Sequence, residues 1–432
     1  MTATYWCRQA WLPGGVAEGV RIDIEGGVID SVESGVKPSG AVLSGMVVPG
    51  FANTHSHAFH RALRGRTHDD RGSFWTWRER MYAVAGKLEP DSYYRLARAV
   101  YAEMVGAGYT SVAEFHYLHH PGRGRRYADP NEFSHALVAA AEEVGIRLTL
   151  LDVCYVAGGF GKPTEVVQER FDDGDAEAWA ERFESFAPTG DLVRTGAAIH
   201  SVRAVPAEQL PIVVRAAAGR PLHVHLSEQP RENEECLAYY GCTPTGLLSA
   251  AEALTPRTVA VHATHLTPED IAALRGCWAS LCPSTEADLA DGIGPGRTLA
   301  DAGVRLCLGS DGHSIVDPWF EARALELHER LASGRRGRFD IAELHTAATA
   351  HEASGWPEVG TLAAGAAADL VHIDTASPRT AGSDGPGILY AATASDVTDV
   401  MIAGRWVVRD RVHRTVPDVA EALDREIGAL WH

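Results

Sequence analysis

The chain has 432 residues, 45% of them hydrophobic and 22% charged, which fits a globular enzyme with a large buried core. A formal net charge of −18 argues against nucleic acid and anionic membrane surfaces as partners, although a locally basic pocket for a small anion remains compatible with it. No run of about 18 apolar residues occurs, so no membrane-spanning helix is expected. In chain order, the opening MTATYWCRQAWLPGG lacks the positive and then apolar pattern of a secretory signal. The cysteines (Cys7, Cys154, Cys236, Cys242, Cys277, Cys282 and Cys307) are odd in number and form no CxxC pair, so reduced thiols in a cytoplasmic protein are expected. Residues 1–48 read as short strands with glycine turns, as in VRIDIEGGVIDSVESG.

The middle of the chain changes character. MVVPGFANTHSH reads as one strand running into a polar end, and Asp91 is the expected cap of a helix through DSYYRLARAVYAEMVGAG, with Leu96, Val100 and Met104 at helical spacing. TSVAEFHY, IRLTLLDVCYV, RTGAAIHSVRAV, PLHVHLSEQ, TVAVHATHLT, WASLCPST and RLCLGSDGHS follow as strands, with helical stretches such as TPEDIAALRG and DPWFEARALELHERLAS between them. Strand–helix alternation repeated about eight times predicts a parallel α/β architecture closed into a (β/α)8 TIM-like barrel. The rival, a doubly wound open sheet, would carry a glycine-rich phosphate loop after its first strand, and GFANTHSH is not one. The last segment returns to β-rich pattern in ADLVHIDT and VTDVMIAGRWVVRD.

Polar residues gather where the strands end, and in a parallel barrel those ends converge on one face. His55 and His57 lie two apart, so in extended chain they point to one side and can grip one cation. His223 and His225 are spaced alike; His225 is the stronger candidate because Glu228 must reach the same cavity, and a satisfied core histidine is the plain reading of His223. His262 and His265 end another strand, and Asp311 follows Gly309-Ser310, where a helix cap is its bland alternative. His55, His57, His225 and Asp311 as ligands suit one divalent ion, Zn2+ first, with Fe2+ or Mn2+ compatible. Such an ion acidifies a water, for which Glu228 could move protons and His262 and Asp311 could orient the attacking oxygen. Lys37, Lys87 and Lys162 are the lysines, and none ends a strand, which disfavours a lysine-bridged metal pair.

The blocks FANTHSHAFHRALRG, SFWTWRERMY, AEFHYLHH, IHSVRAV, HLSEQ, HATHLT, STEADLADGIGP and GSDGH, in this order, resemble the single-metal deaminase branch of the amidohydrolase superfamily, and within it the formimidoylglutamate deiminase family. The resemblance covers nearly the whole chain. It implies a small β-sandwich built from residues 1–48 and 366–432 beside a barrel of residues 49–365. It also implies hydrolysis of N-formimidoyl-L-glutamate to N-formyl-L-glutamate and ammonia, a step of histidine degradation, by a cytoplasmic homodimer. Zinc would be held by His55, His57, His225 and Asp311, Glu228 would shuttle protons, and His262 with Asp311 would activate water. Arg78 and Arg203 match positions that bind the substrate carboxylates, for which a planar guanidinium is suited. Tyr117 and His200 match further polar contacts, while Trp75 and Trp77 pack around Arg78. His60 stands where glutamine is frequent and faces the substrate, and Gly312 stands where serine is frequent; these departures mark the alternative, the same chemistry on another formimidoyl, guanidino or C=N compound. A ring-opening amidohydrolase would want a bridged metal pair, and an inactive assembly subunit would have lost ligands.

Overall fold

The computed structural model describes residues 3–67 and 74–431; Ser73, the first residue of SFWTWRERMY, lies outside them. The chain begins with β1 (Ala3–Leu12), β2 (Gly15–Glu25), β3 (Val28–Glu33) and β4 (Ala41–Pro49). Val20, Ile22 and Ile24 of β2 are buried while Arg21 and Asp23 between them are partly exposed, the period-two signature of a strand with one face on a core. That core also takes Cys7, Leu43, Val47, Leu370 and Met401, from both ends of the chain.

The expected single strand MVVPGFANTHSH breaks in two at Gly50. Pro49 ends the ladder because it has no N–H to donate, and a Cβ on Gly50 would lie 2.1 Å from Thr110 Oγ1, so only glycine lets the chain cross there. Beyond it run β5 (Phe51–Ser56), β6 (Tyr109–His116), β7 (Arg147–Cys154), β8 (Val193–Ile199), β9 (Leu222–Leu226), β10 (Thr258–His262), β11 (Trp278–Leu281) and β12 (Arg305–Leu308). These pair in parallel, each with its successor in sequence. β5, β6, β7, β9, β10 and β11 are buried at every residue, as strands covered by helices outside and side chains inside must be. The sheet closes where β12 ends. The amides of Ser310 and Asp311 both donate to the His55 carbonyl (3.1 and 2.9 Å), and the His57 amide donates to the Asp311 carbonyl at 3.3 Å. The expected (β/α)8 barrel is therefore present.

After the barrel come β13 (Leu370–Ile373), β14 (Val397–Ile402), β15 (Arg405–Arg409) and β16 (Val412–His413). They join the opening strands in one mixed eight-stranded sheet of order β16-β15-β14-β13-β4-β1-β2-β3, with β13 antiparallel to β4, and this sheet of both chain ends fits a small β-sandwich. The helix Pro90–Ala107 corrects the expected cap. Glu89, not Asp91, is its N-cap, exchanging hydrogen bonds with Ser92, because Pro90 takes the first helical position. The last helix, Val419–Trp431, packs on Pro90–Ala107, and the Trp431 indole donates to the Ala62 carbonyl at 2.9 Å, just behind the His55–His57 segment. Among the described residues, no helix is long and apolar enough to cross a membrane.

Candidate active site

His55 near the end of β5, His57 just beyond it, His225 in β9 and Asp311 after β12 meet at the barrel mouth, all buried. The His225 and His55 Nε2 atoms are 3.1 Å apart. Asp311 Oδ1 lies 3.3 Å from His55 Nε2 and 3.4 Å from His57 Nε2. Backbone carbonyls fix two of the rings: His57 Nδ1 donates to Phe115 O (3.0 Å) and His225 Nδ1 to His200 O (2.9 Å). Their Nε2 atoms are therefore unprotonated lone pairs aimed at a common point. Burial pulls the pKa of all three imidazoles down and so favours the neutral ligand form. Burial would raise the Asp311 carboxyl, but His55, His262 and His57 outweigh it and hold it well below the usual carboxylate range. The ring nitrogens of His55, His57 and His225 gather within 4.8 Å of one another and Asp311 Oδ1 lies beside His55 and His57, so this donor set fits a single divalent ion.

The close approach has its own sequence requirement. A Cβ on Gly309 would lie 2.8 Å from the His55 Cβ and carbonyl oxygen and 2.9 Å from its amide, so the strand carrying Asp311 reaches the strand carrying His55 only because residue 309 is glycine. Behind the ligands, the buried Glu114 carboxylate accepts from Ser56 Oγ (2.8 Å) and the Ala58 amide (2.6 Å), pinning the backbone between and after the two histidines.

His262, the last residue of β10, points its Nε2 at both Glu228 Oε1 (3.7 Å) and Asp311 Oδ2 (3.8 Å). Its Nδ1 faces Glu286 Oε1 at 3.4 Å. Burial pulls the His262 imidazole down, but the carboxylates of Glu228, Glu286 and Asp311 outweigh it and push its pKa up to about 10. Glu228 rises for the opposite reason: burial wins and pushes its carboxyl up to about 6 against the pull of His262. A carboxyl that titrates near neutrality beside a charged imidazole can give and take protons. The backbone here is strained: Ser227, His262, Ala263, Asp311 and His313 all have φ between 39° and 66°, a left-handed conformation costly for non-glycine residues and concentrated at sites that need a side chain re-aimed.

One pocket takes His57, His225, Glu228, His262 and Asp311 into its lining. His60, Arg78, Tyr117, His200 and Arg203 line it as well, so the residues singled out from the sequence share one cavity, with His55 buried beneath. His223 is buried too but belongs to none of the possible ligand groups among the described residues. His60 Nε2 and the Tyr117 hydroxyl are 3.0 Å apart. Arg78, on the helix Phe74–Ala85, lies over the Trp75 and Tyr82 rings and has no carboxylate partner among the described residues. Arg203 Nε lies 3.6 Å from the buried Glu232 carboxylate. Trp77, expected only to pack, lines the pocket edge-on to His60. The sequence reading passed over Tyr82, Tyr155, Gln168, Glu232 and Glu286. Tyr155 alone carried a signal, standing directly after β7 as the other site residues stand after their strands.

The model of the amidohydrolase family matches residues 46–407. Formimidoylglutamate deiminase from Pseudomonas aeruginosa is 40% identical over 451 aligned positions, covering 98% of this chain and 99% of that protein. A crystal structure of an amidohydrolase from Brucella melitensis superposes with a TM-score of 0.90 at 35% identity over the whole of both chains. A zinc-bound adenosine deaminase from Xanthomonas campestris superposes with 0.84 at 24% identity over 98% of each, a likeness of fold.

Proposed function

The chain belongs to the amidohydrolase family, whose members are metal-dependent hydrolases, and from that premise we propose that it hydrolyses N-formimidoyl-L-glutamate to N-formyl-L-glutamate and ammonia with one bound divalent ion, zinc first among the candidates. The observation that carries the substrate is the pair Arg78 and Arg203 in the cavity of the ligand cluster. Arg78 keeps its charge uncompensated by any carboxylate among the described residues, so the pocket wants an anion. A purine would want stacking faces and neutral hydrogen-bond partners instead of two guanidinium groups. The 40% identity to a formimidoylglutamate deiminase over nearly the full length of both chains supports the same reading.

His55, His57, His225 and Asp311 would hold the ion, which supplies Lewis acidity toward water and substrate when bound. Asp311 Oδ2 and His262 Nε2, 3.8 Å apart, bracket the place where an attacking water can be oriented and its proton taken. Glu228, protonated, gives a proton to the imine nitrogen as water adds to the formimidoyl carbon. Recharged by the proton that the new hydroxyl loses, it gives a second one to the same nitrogen. The C–N bond then breaks, the carbonyl of the formyl group forms, and ammonia leaves with one proton that Glu228 held at the start and one from the new hydroxyl; the first proton of the water, taken at Asp311, returns to Glu228 and closes the cycle. Arg78 and Arg203 bind the two carboxylates, with Tyr117, His200 and His60 completing the polar lining, which fixes the reacting carbon in place.

Ammonia release from zinc-loaded protein tests this, with N-formimidoyl-L-aspartate, N-formimidoylglycine and guanine alongside. Release with the glutamate derivative far above the others is the expected result; release with another compound instead would move the substrate. The imidazole of His60, where glutamine is frequent, favours one second reading: the same chemistry on a different formimidoyl or guanidino acid. Residues 1–48 and 366–432 are read as one sandwich domain and 49–365 as the catalytic barrel. A cytoplasmic homodimer acting in histidine degradation is the proposed setting.

A further inference from the structure

We infer that Tyr155 is a specificity-determining residue that donates its phenolic proton to a carboxylate of the substrate, beside Arg78. This rests on the dicarboxylate reading above and is carried by a count of donors and acceptors.

Gln168 is buried, in the segment after β7. Its Oε1 accepts from the Glu165 amide at 2.8 Å, which settles the orientation of the side-chain amide. Nε2 therefore faces the pocket wall, and it donates to the hydroxyls of Tyr155 (2.8 Å) and Tyr82 (3.1 Å). Arg78 Nε also donates to the Tyr82 hydroxyl, at 2.6 Å. Gln168 and Arg78 fill the acceptor capacity of the Tyr82 oxygen, and the Arg78 guanidinium also reaches the Tyr155 oxygen that Gln168 already bonds. The two hydroxyls lie within reach of each other, but with both oxygens supplied by N–H donors neither is a good acceptor for the other's proton. The Tyr155 proton is left for a group that enters the cavity it lines.

An unsatisfied hydroxyl this buried costs free energy unless a ligand completes it. Tyr155 lines the same cavity as Arg78 and Arg203, feels both guanidinium groups, and packs its ring edge-on to His200 at 4.4 Å. A lone O–H donor between two cations selects an anionic acceptor, and a carboxylate is the one that the proposed substrate brings. Gln168 is a positioning residue: it holds both rings and, by donating to Tyr155, polarises the O–H it leaves free.

The experiment is steady-state kinetics of zinc-loaded wild type, Tyr155→Phe and Gln168→Leu with N-formimidoyl-L-glutamate, with zinc content and glutarate affinity measured on each. Tyr155→Phe should raise KM about 10- to 100-fold, as expected for losing a hydrogen bond to a charged group, weaken glutarate in parallel, change kcat far less and leave zinc content unchanged. Gln168→Leu should move KM the same way by less; it keeps the Tyr155 ring and carries the test if Tyr155→Phe melts below the assay temperature. Unchanged KM and glutarate affinity would overturn the inference and leave the substrate reading standing. A loss confined to kcat would also overturn it, because Tyr155 would then serve the chemistry. A wild type that neither turns over N-formimidoyl-L-glutamate nor binds glutarate would overturn the dicarboxylate reading and this inference with it.

Discussion

Glu228 illustrates how one residue is tuned by its setting. Its carboxyl is buried, which pushes it up to about 6, and it faces the protonated ring of His262 without belonging to the cluster of Nε2 lone pairs. Glu228→Gln keeps the shape and removes the exchangeable proton. It should leave zinc at one equivalent per chain and lower kcat by about 100- to 10,000-fold, the usual worth of a positioned acid–base group. Metal analysis beside single-turnover kinetics checks this, and a parallel loss of zinc would make Glu228 a ligand. Gly312 has room for a side chain: a Cβ there would meet only Thr285, at 3.4 and 3.5 Å, and the backbone is not in the left-handed region. His60 is different, because its ring sits against His57 and the Tyr117 hydroxyl inside the cavity.

Among the elements, the β12–β5 closure makes the metal site depend on a glycine that never touches the ion. Gly309→Ala would force a methyl to within 2.8 Å of backbone and Cβ atoms of His55, where nothing flexible can yield. A cost of about 1–3 kcal/mol is expected from such overpacking, read as a lower thermal midpoint, and zinc should bind more weakly because His55 must move. In the outer sheet, the turn before β14 is acid-sensitive. Burial would raise the Asp396 carboxyl, but Arg379, Ser377 and the Thr393 amide hold it down at about 2. A carboxyl depressed on folding adds stability that is fully present above its unfolded value of about 3.9 and is lost as pH falls toward the folded value. Asp396→Asn should therefore flatten the stability curve between about pH 4 and pH 2, measured by chemical denaturation across that range.

For the whole molecule, the candidate ligands come from the first, fifth and eighth barrel strands or the turns after them. An ion held there ties the two ends of the barrel sheet to its middle and binds the folded state alone. Chelation should lower the thermal midpoint, and zinc at 1,000 times its dissociation constant should restore about 4 kcal/mol. A scan with and without chelator, then with zinc returned, checks this; an unchanged midpoint would place the ion outside the fold's stability.

Much of this protein is written in local pattern. Strand–helix alternation determined the barrel, and because parallel strand ends converge, polar residues at those ends (His55, His57, His225, His262, Asp311) could be gathered into one site without knowing any distance. The order of the motif blocks carried the family for the same reason: the chemistry sits at fixed places along the chain. Tertiary structure decided what depends on loops and on contacts between distant segments. It broke the strand at Gly50, made Gly309 indispensable beside His55, set Glu286 behind His262 and turned Gln168 toward Tyr82 and Tyr155. Tyr155 and Gln168 lie 13 residues apart, and Tyr82 lies 86 from Gln168. No periodicity relates such positions, because a hydrogen bond between separate elements, here the helix that carries Tyr82 and the short turn of helix that carries Gln168, is fixed by where the packed barrel leaves them and by which donors remain unpaired there.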